Sequence, residues 1–448
     1  MIQTIRNAWK VPELRGKLLF TVFALLIFRV GAAIPVPFID THTLSDYIAS
    51  QSSSIFGLLN VMSGDAFAQA TVFALSIQPY INSSIIIQLL TIAIPALERL
   101  QKEGGEEGKK KLEAITRYAT VAIALIQAFG YYTFLRVGSG GQSLLTVQGV
   151  WPAIVIIAAF VAGSAFLMWL GEQITEFGIG NGISIILFAG IVGRVPTMVS
   201  TIISGVRAWA TGSNPTSALV MHPVFIPFVI IGMLALVAFI VFITNAERRI
   251  PVQYAKRVVG RKMYGGQSSH IPIKVNMSGV LPIIFAQAIA SIPATIGMFV
   301  PSAQTKGSGW NTFLSIFDTT GLVYSIVYFL LIILFSYFYN TIQFNPIEVA
   351  NNLKKNGGFI PGFRPGRPTS DFLSKVISRI TMFGAIYLGV VALLPTIVGN
   401  IMSAFGSSAG SRLGIGGTSV IIVVGVALET VKALEAQLMM RHYKGFLE

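Results

Sequence analysis

About ten stretches of roughly twenty mostly apolar residues run along this chain, and that spacing dictates its fold class. They lie near Leu18–Ile34, Thr71–Ile94, Tyr118–Leu135, Trp151–Leu170, Ile183–Ile203, Val224–Ile243, Gly279–Phe299, Leu322–Tyr339, Ile377–Ile397 and Thr418–Leu434. A run of that length spans the hydrocarbon core of a bilayer as a helix. Inside lipid every backbone N–H and C=O must be satisfied within the segment, which leaves only helices or closed barrels. Composition agrees. Charged residues make up 11% of the 448, hydrophobic residues 53%, and the mean hydropathy is +0.72. A soluble domain carries about 25% charged residues. The expected class is an all-α polytopic membrane protein.

Basic residues give the direction. Lys and Arg total 32 against 18 Asp and Glu, a net charge of +14. With the N-terminus inside and the spans alternating, only Arg136, Arg207, Lys306 and Arg412 fall in outer loops. Arg29 and Arg194 fall within spans, toward their outer halves, where long basic side chains snorkel to the interface. All the others lie on the inner side, as the excess of Lys and Arg in cytoplasmic loops requires. Both termini are therefore expected in the cytoplasm. Ten spans divide into five and five, residues 1–205 and 206–448. An odd number per half turns the second half upside down, the inverted-repeat condition. Pro79-Tyr80-Ile81 with Ile85 in span two, and Pro282-Ile283-Ile284 with Ile289 in span seven, are a short echo of such a repeat.

Several chemistries are excluded. Cysteine is absent, so there are no disulfides, thiolate nucleophiles or Cys-ligated metals. His42, His222, His270 and His442 are far apart in sequence and form no metal-binding pair. Gly104 to Lys111 lacks the spacing and the Ser/Thr of a phosphate-binding loop. No cofactor is expected. The polar residues within the spans are mostly neutral: Asn82, Ser83, Ser84, Gln88, Gln127, Asn181 and Gln287, each at first sight interhelical glue. Glu429 is the deepest carboxylate and lies toward the cytoplasmic end.

Three segments are not ordinary spans. Ile55 to Met62 is apolar but too short to cross, and Ser63-Gly64-Asp65 breaks it. It either lies on the outer interface or sits buried in a re-entrant cavity. Two inner loops are long and basic. Around 245–276, Ile250, Val252 and Tyr254, then Ile271, Ile273 and Val275, alternate with other residues, the period of a β-hairpin. Its tip carries Lys256, Arg257, Arg261 and Lys262. The loop at 345–376 carries Lys354, Lys355, Arg364 and Arg367, and its Gly/Pro-rich middle forbids a helix. Charge at the far tip of a folded finger suits ribosomal RNA or an acidic protein surface.

Longer stretches carry a resemblance. IPVP (Ile34–Pro37), PYINSSIIIQLL (Pro79–Leu90), MWLGEQITEFGIGNGISIILFAGIV (Met168–Val192), PVQYAKR (Pro251–Arg257), HIPIKVNMSGVLPIIFA (His270–Ala286), NPIEVANNLKKNGGFIPGFRPG (Asn345–Gly366) and GGTSVIIVVGVALE (Gly416–Glu429) follow one another in order. The chain resembles the SecY family, the central channel subunits of the bacterial Sec translocase, over essentially its whole length. Only the regions around Gln51, Gly140 and Gln304 show no likeness. The resemblance implies two five-helix halves around a central pore, in the bacterial cytoplasmic membrane. It places a midplane constriction on Ile81, Ile85, Ile183, Leu187, Ile284 and Ile422. Leu187 departs mildly from the family's preference for isoleucine. A plug at about 55–70 would include Phe56, Gly57, Leu58, Leu59, Val61 and Met62. Spans two and three would face spans seven and eight at a lateral gate carrying Gln88, Thr91 and Gln127. Implied partners are SecE-like and SecG-like small membrane subunits, the SecA motor, the ribosome, signal peptides and preproteins. Energy would come from a partner, since the chain has no ATPase motif.

Two other classes compete on the residues alone. A secondary transporter for small solutes shares inverted repeats but needs an acidic group at the midplane. An intramembrane enzyme needs a nucleophile beside a base, and Ser83 and Ser84 have neither His nor Asp near them in sequence.

Overall fold

The structure, a computed structural model, describes residues 2–50, 55–138, 143–211, 225–254, 257–259, 262–264, 268–277, 279–300, 309–316, 321–404 and 417–444. It is overwhelmingly helical. A short amphipathic helix α1 (Ile2–Lys10) leads into α2 (Pro12–Gly31), the first long apolar helix. Two short helices follow, α3 (Thr41–Ser50) and α4 (Ile55–Ser63). The second span is α5 (Gln78–Ala93), which starts well inside the stretch expected from hydropathy. Residues 64–77 are turns instead, because Gly64, Asp65, Ala70 and Ser76 all have left-handed φ, between +43° and +71°. Such angles cannot continue a helix.

Pro95 ends α5, and α6 (Pro95–Lys102) leaves it at 105°. Then come α7 (Gly105–Val137) and α8 (Val150–Phe177), both longer than a span requires. Span five is broken into α9 (Gly182–Val192) and α10 (Val195–Ala210) at Gly193-Arg194. The first span of the second half is α11 (Phe225–Asn245). Strands β1 (Glu247–Tyr254), β2 (Arg257–Val259), β3 (Lys262–Tyr264) and β4 (Ser268–Lys274) follow. Span seven is also two pieces, α12 (Leu281–Ala290) and α13 (Ile292–Phe299), separated at Ser291 ahead of Pro293. A short α14 (Gly309–Ile316) precedes α15 (Leu322–Gln343). After α16 (Pro346–Lys355) and a two-residue β5 (Gly358–Phe359) the chain ends in two long helices, α17 (Arg367–Ala404) and α18 (Gly417–Lys444).

The main core joins both halves of the chain. Phe28, Met62, Ile81, Leu170 and Leu187 from the first half pack in one cluster with Ile284, Phe285, Tyr328, Leu388 and Ile422 from the second. A second cluster lies under the outer loops, where Tyr131 stacks on Phe67 with ring centres 4.6 Å apart and donates its hydroxyl to the Phe67 carbonyl at 2.6 Å. Outward faces of the long helices are apolar and exposed, as at Phe23, Leu26, Ile154, Leu330 and Leu334. In water that exposure would be untenable; in a bilayer it is the lipid-facing surface.

The period-2 pattern of the first basic loop is a real hairpin. β1 pairs antiparallel with β4, from Glu247 opposite Lys274 to Gln253 opposite Ser268. The second loop is not a separate finger. β5 adds to the free edge of β1, with Gln253 opposite Phe359 and Tyr254 opposite Gly358. Ile250, Val252 and Ile273 of the hairpin share a small core with Leu353, Ile360 and Leu373 of the second loop.

Candidate channel, plug seat and docking surface

The residues expected at the constriction meet. Ile81 and Ile85 are one turn apart on α5, so their side chains stack on one face. Leu187 on α9, Ile284 on α12 and Ile422 on α18 complete a set that is almost wholly buried within the same core cluster, and Ile183 packs against it half-buried. Four helices, two from each half, contribute to it. Asn181 prepares the approach: its side chain accepts from the Ile183 and Ser184 N–H groups and caps α9. It works as a helix cap and not as interhelical glue. Ser83 is glue, sharing a 2.6 Å hydrogen bond with Thr120 of α7.

The short helix α4 lies directly on this cluster and not on the outer interface. Val61 and Met62 are buried, Gly57 is buried and Leu59 half-buried. The side chains of Phe56 and Leu58 lie outside the described residues. Two amides from opposite halves reach for the Met62 sulfur: Gln287 Nε2 at 2.9 Å and Gln78 Nε2 at 3.5 Å. The helix stops at Ser63 and does not run on to Ala70. Asn60 turns the chain back, accepting from the Ala68 N–H at 2.8 Å and donating to Asp65 at 2.9 Å.

Below Met62 the backbone touches α9 with no side chain between. A Cβ on Gly64 would lie 2.8 Å from the Gly190 carbonyl, and one on Gly190 2.8 Å from the Met62 carbonyl. Both in-span arginines end here; neither snorkels free. Arg29 donates to the Gly193 carbonyl at 3.0 Å and to that of Gly64 at 3.5 Å. Arg194 Nε lies 2.8 Å from Asp65 Oδ1, an ion pair at close range without hydrogen-bond alignment. Nothing in the sequence pattern singles these two arginines out, because hydropathy registers them only as charges near a span end.

The residues expected at the lateral gate differ in what they contact. Thr91 is buried, but its hydroxyl donates to its own helix, to the Ile87 carbonyl at 2.7 Å. Gln88 donates to Ser84, one turn back, at 3.4 Å. Only Gln127 looks across: with Gln78 and Asn82 it faces Ser291 and Thr295 of the other half around a cavity of about 30 Å3, beside Leu59. One contact across this seam is aromatic, Phe129 on Phe299 with ring centres 6.3 Å apart.

The two basic loops join in one body. Lys354, Lys355, Arg364 and Arg367 are all exposed. Arg364 stands in a rigid turn: Thr369 donates its hydroxyl to the Arg364 carbonyl at 2.8 Å, and Phe363 stacks on Phe372 with ring centres 4.1 Å apart. Gly362 at φ +87° and Gly366 at φ +109° make that turn possible. Lys256 and Arg261 lie outside the described residues, and for Arg257 and Lys262 only the backbone, in β2 and β3, is described. Among the described residues no group of three His, Asp or Glu is placed to hold a metal.

Known proteins give the same picture. The SecY family profile matches residues 71–431. The protein translocase subunit SecY of Streptomyces galbus is 45% identical over the full length of both chains, and that of Mycobacterium tuberculosis 42%. Among solved structures the fold is shared with a protein-conducting channel, TM-score 0.61 at 18% identity, covering 94% of this chain and 92% of that one. It is also shared with Sec61 from a canine ribosome-channel complex, TM-score 0.56 at 16% identity, with the same coverage. With its profile, full-length relatives and fold in agreement, the chain belongs to the SecY family of protein-translocating channels.

Proposed function

We propose that this translocating channel is closed at rest by the apolar ring of Ile81, Ile85, Ile183, Leu187, Ile284 and Ile422, with α4 seated on it as a plug. The observation that carries this reading is the convergence of those residues and Met62, from two halves of one chain, in a single buried cluster. An apolar ring offers a passing chain no hydrogen bonds, so it grips no side chain and resists ions while dewetted. Residues 1–205 and 206–448 act as two halves that part at the seam between α5–α7 and α12–α13, where a signal or membrane segment moves into lipid. A greasy segment is driven outward by the same transfer free energy that inserts any membrane helix. The multi-pass chain sits in the bacterial cytoplasmic membrane with both ends inside. Small SecE-like and SecG-like subunits cover its flanks. SecA or the ribosome docks on the basic inner surface and supplies the energy.

Replacing Ile422 with Asn tests the ring. At a site packed only for stability, a buried amide without partners costs about 1–3 kcal/mol and the protein accumulates poorly. In a pore ring the amide meets water, wets the constriction and weakens closure. Vesicles holding the variant are expected to conduct ions at rest, and cells to export a reporter with a defective signal sequence. Wild-type values for both, at normal protein levels, would remove Ile422 from the ring.

A further inference from the structure

We infer that Asp65, Arg194 and Arg29 are positioning residues for the plug: a charged latch at the outer end of α4 that holds a strained return loop in its seated form. The inference rests on reading α4 as the plug. Its observations are separate from those of the ring.

The first is electrostatic. The Asp65 and Arg194 side chains are 23% and 18% exposed, so both are partly withdrawn from water. Charges partly withdrawn from water gain from being paired, and pairing here ties the plug to the break between α9 and α10. Thr197 reaches the second carboxylate oxygen at 3.5 Å. Arg29 adds a tie from α2, bridging the carbonyls of Gly64 on the plug side and Gly193 on the α9 side. Three elements of the first half therefore grip one turn of chain. By contrast Met62, just before the latch, meets both halves, between Gln78 and Gln287. When the halves part, the Gln287 contact is lost by geometry alone, whereas the charged latch stays within one half and must be broken on its own account.

The second observation is conformational. Of the non-glycine residues with positive φ, three stand in the loop that the latch closes: Asp65 at +71°, Ala70 at +43° and Ser76 at +50°. Each such residue costs free energy that surrounding contacts must offset. A strained loop held by an ion pair is poised to leave when the pair is broken. The two features together make seating conditional, as a plug that must come and go requires.

The test uses full-length channel in vesicles and in cells. Asp65→Asn and Arg194→Gln are each expected to raise resting ion conductance and export of a signal-defective reporter by roughly tenfold, the scale of breaking a partly buried ion pair. The double variant is expected to be no leakier than either single one, because the pair acts as a unit. Arg194→Lys should keep much of the seal. Gly193→Ala, whose methyl would stand 2.7 Å from Arg29 Nη1, probes the third tie without touching the pair, and should leak less than Asp65→Asn but more than wild type. Leaks in the two single variants that multiply in the double, or wild-type tightness in both at normal protein levels, overturn the latch. A second arm isolates the plug reading. Met62→Cys with Gln287→Cys, joined by a cleavable thiol cross-linker in this cysteine-free chain, should block precursor translocation until the link is cut. If the linked channel translocates freely, the plug reading fails. If it is blocked while Asp65→Asn stays tight, only the latch fails.

Discussion

Ser76 combines two local costs. Its φ is +50°, and its buried hydroxyl has no protein partner. A left-handed non-glycine residue costs about 1–2 kcal/mol, and a buried unsatisfied hydroxyl about 1–3. Glycine would remove both, at an entropic cost of about 0.5–1 kcal/mol in the unfolded chain. Ser76→Gly is therefore expected to stabilise the detergent-solubilised protein by about 1 kcal/mol, seen as a higher thermal midpoint. A lower midpoint would mean that the hydroxyl holds water in the small cavity it lines with Gln78 and Gln127. Ser76 also shows where reading the sequence falls short. Hydropathy assigns Thr71–Ile77 to a span, since it counts apolar side chains and is blind to φ. For the same reason Arg29 and Arg194 read as snorkelling charges, although each is committed to a partner across the fold. What was legible at this scale came from the family resemblance, which pointed to Ile81, Ile85, Ile183 and Leu187; the spacing of one helical turn within each pair agrees with it.

At the scale of elements, strands were easier to read than the way they assemble. The alternation of Ile250 and Val252 against Ile271 and Ile273 gives the hairpin and its buried face. That β5 would join it could not be read, because two residues carry no periodicity. The consequence is mechanical. A Cβ on Gly358 would stand 2.9 Å from the Tyr254 ring, so the two loops fit as one body and a force on either is shared. Arg364 projects from this body in a turn braced by Thr369 and by the stacked Phe363 and Phe372. Reversing its charge costs little stability, since the side chain is exposed and its backbone hydrogen bonds do not involve it. Arg364→Glu is expected to abolish SecA-driven translocation while the protein inserts and accumulates normally, because an electrostatically matched partner now meets repulsion. Normal translocation with normal SecA affinity would show that the basic surface serves only to orient the chain.

Over the whole molecule the decisive asymmetry is of charge, and it argues for a direction more strongly than any single span. With the N-terminus inside, nearly every Lys and Arg outside the spans is expected on the side of the β-sheet, α16 and the N-terminal α1. Span ends alone could not show this: α9–α10 and α12–α13 are each broken, and α5 bends by 105° into α6, so helix lengths give an ambiguous tally. Charge is the better guide, since an excess of Lys and Arg in short loops and close to span ends sets orientation. Gly105 begins α7, next to Lys109, Lys110 and Lys111, and Gly358 sits in the shared sheet. Both should face the cytoplasm. The absence of cysteine makes the measurement clean, because a single introduced thiol reports alone. Gly105 has no neighbour within 4 Å of an added Cβ, so Gly105→Cys is the safer probe; at Gly358 the Tyr254 ring must shift, and Asn356→Cys, exposed two residues earlier, serves instead. An impermeant thiol reagent is expected to label both variants in inside-out vesicles and neither in intact cells. Labelling in intact cells would invert the channel. It would put the basic surface, Arg364 included, on the side where neither a ribosome nor a cytoplasmic motor can reach it.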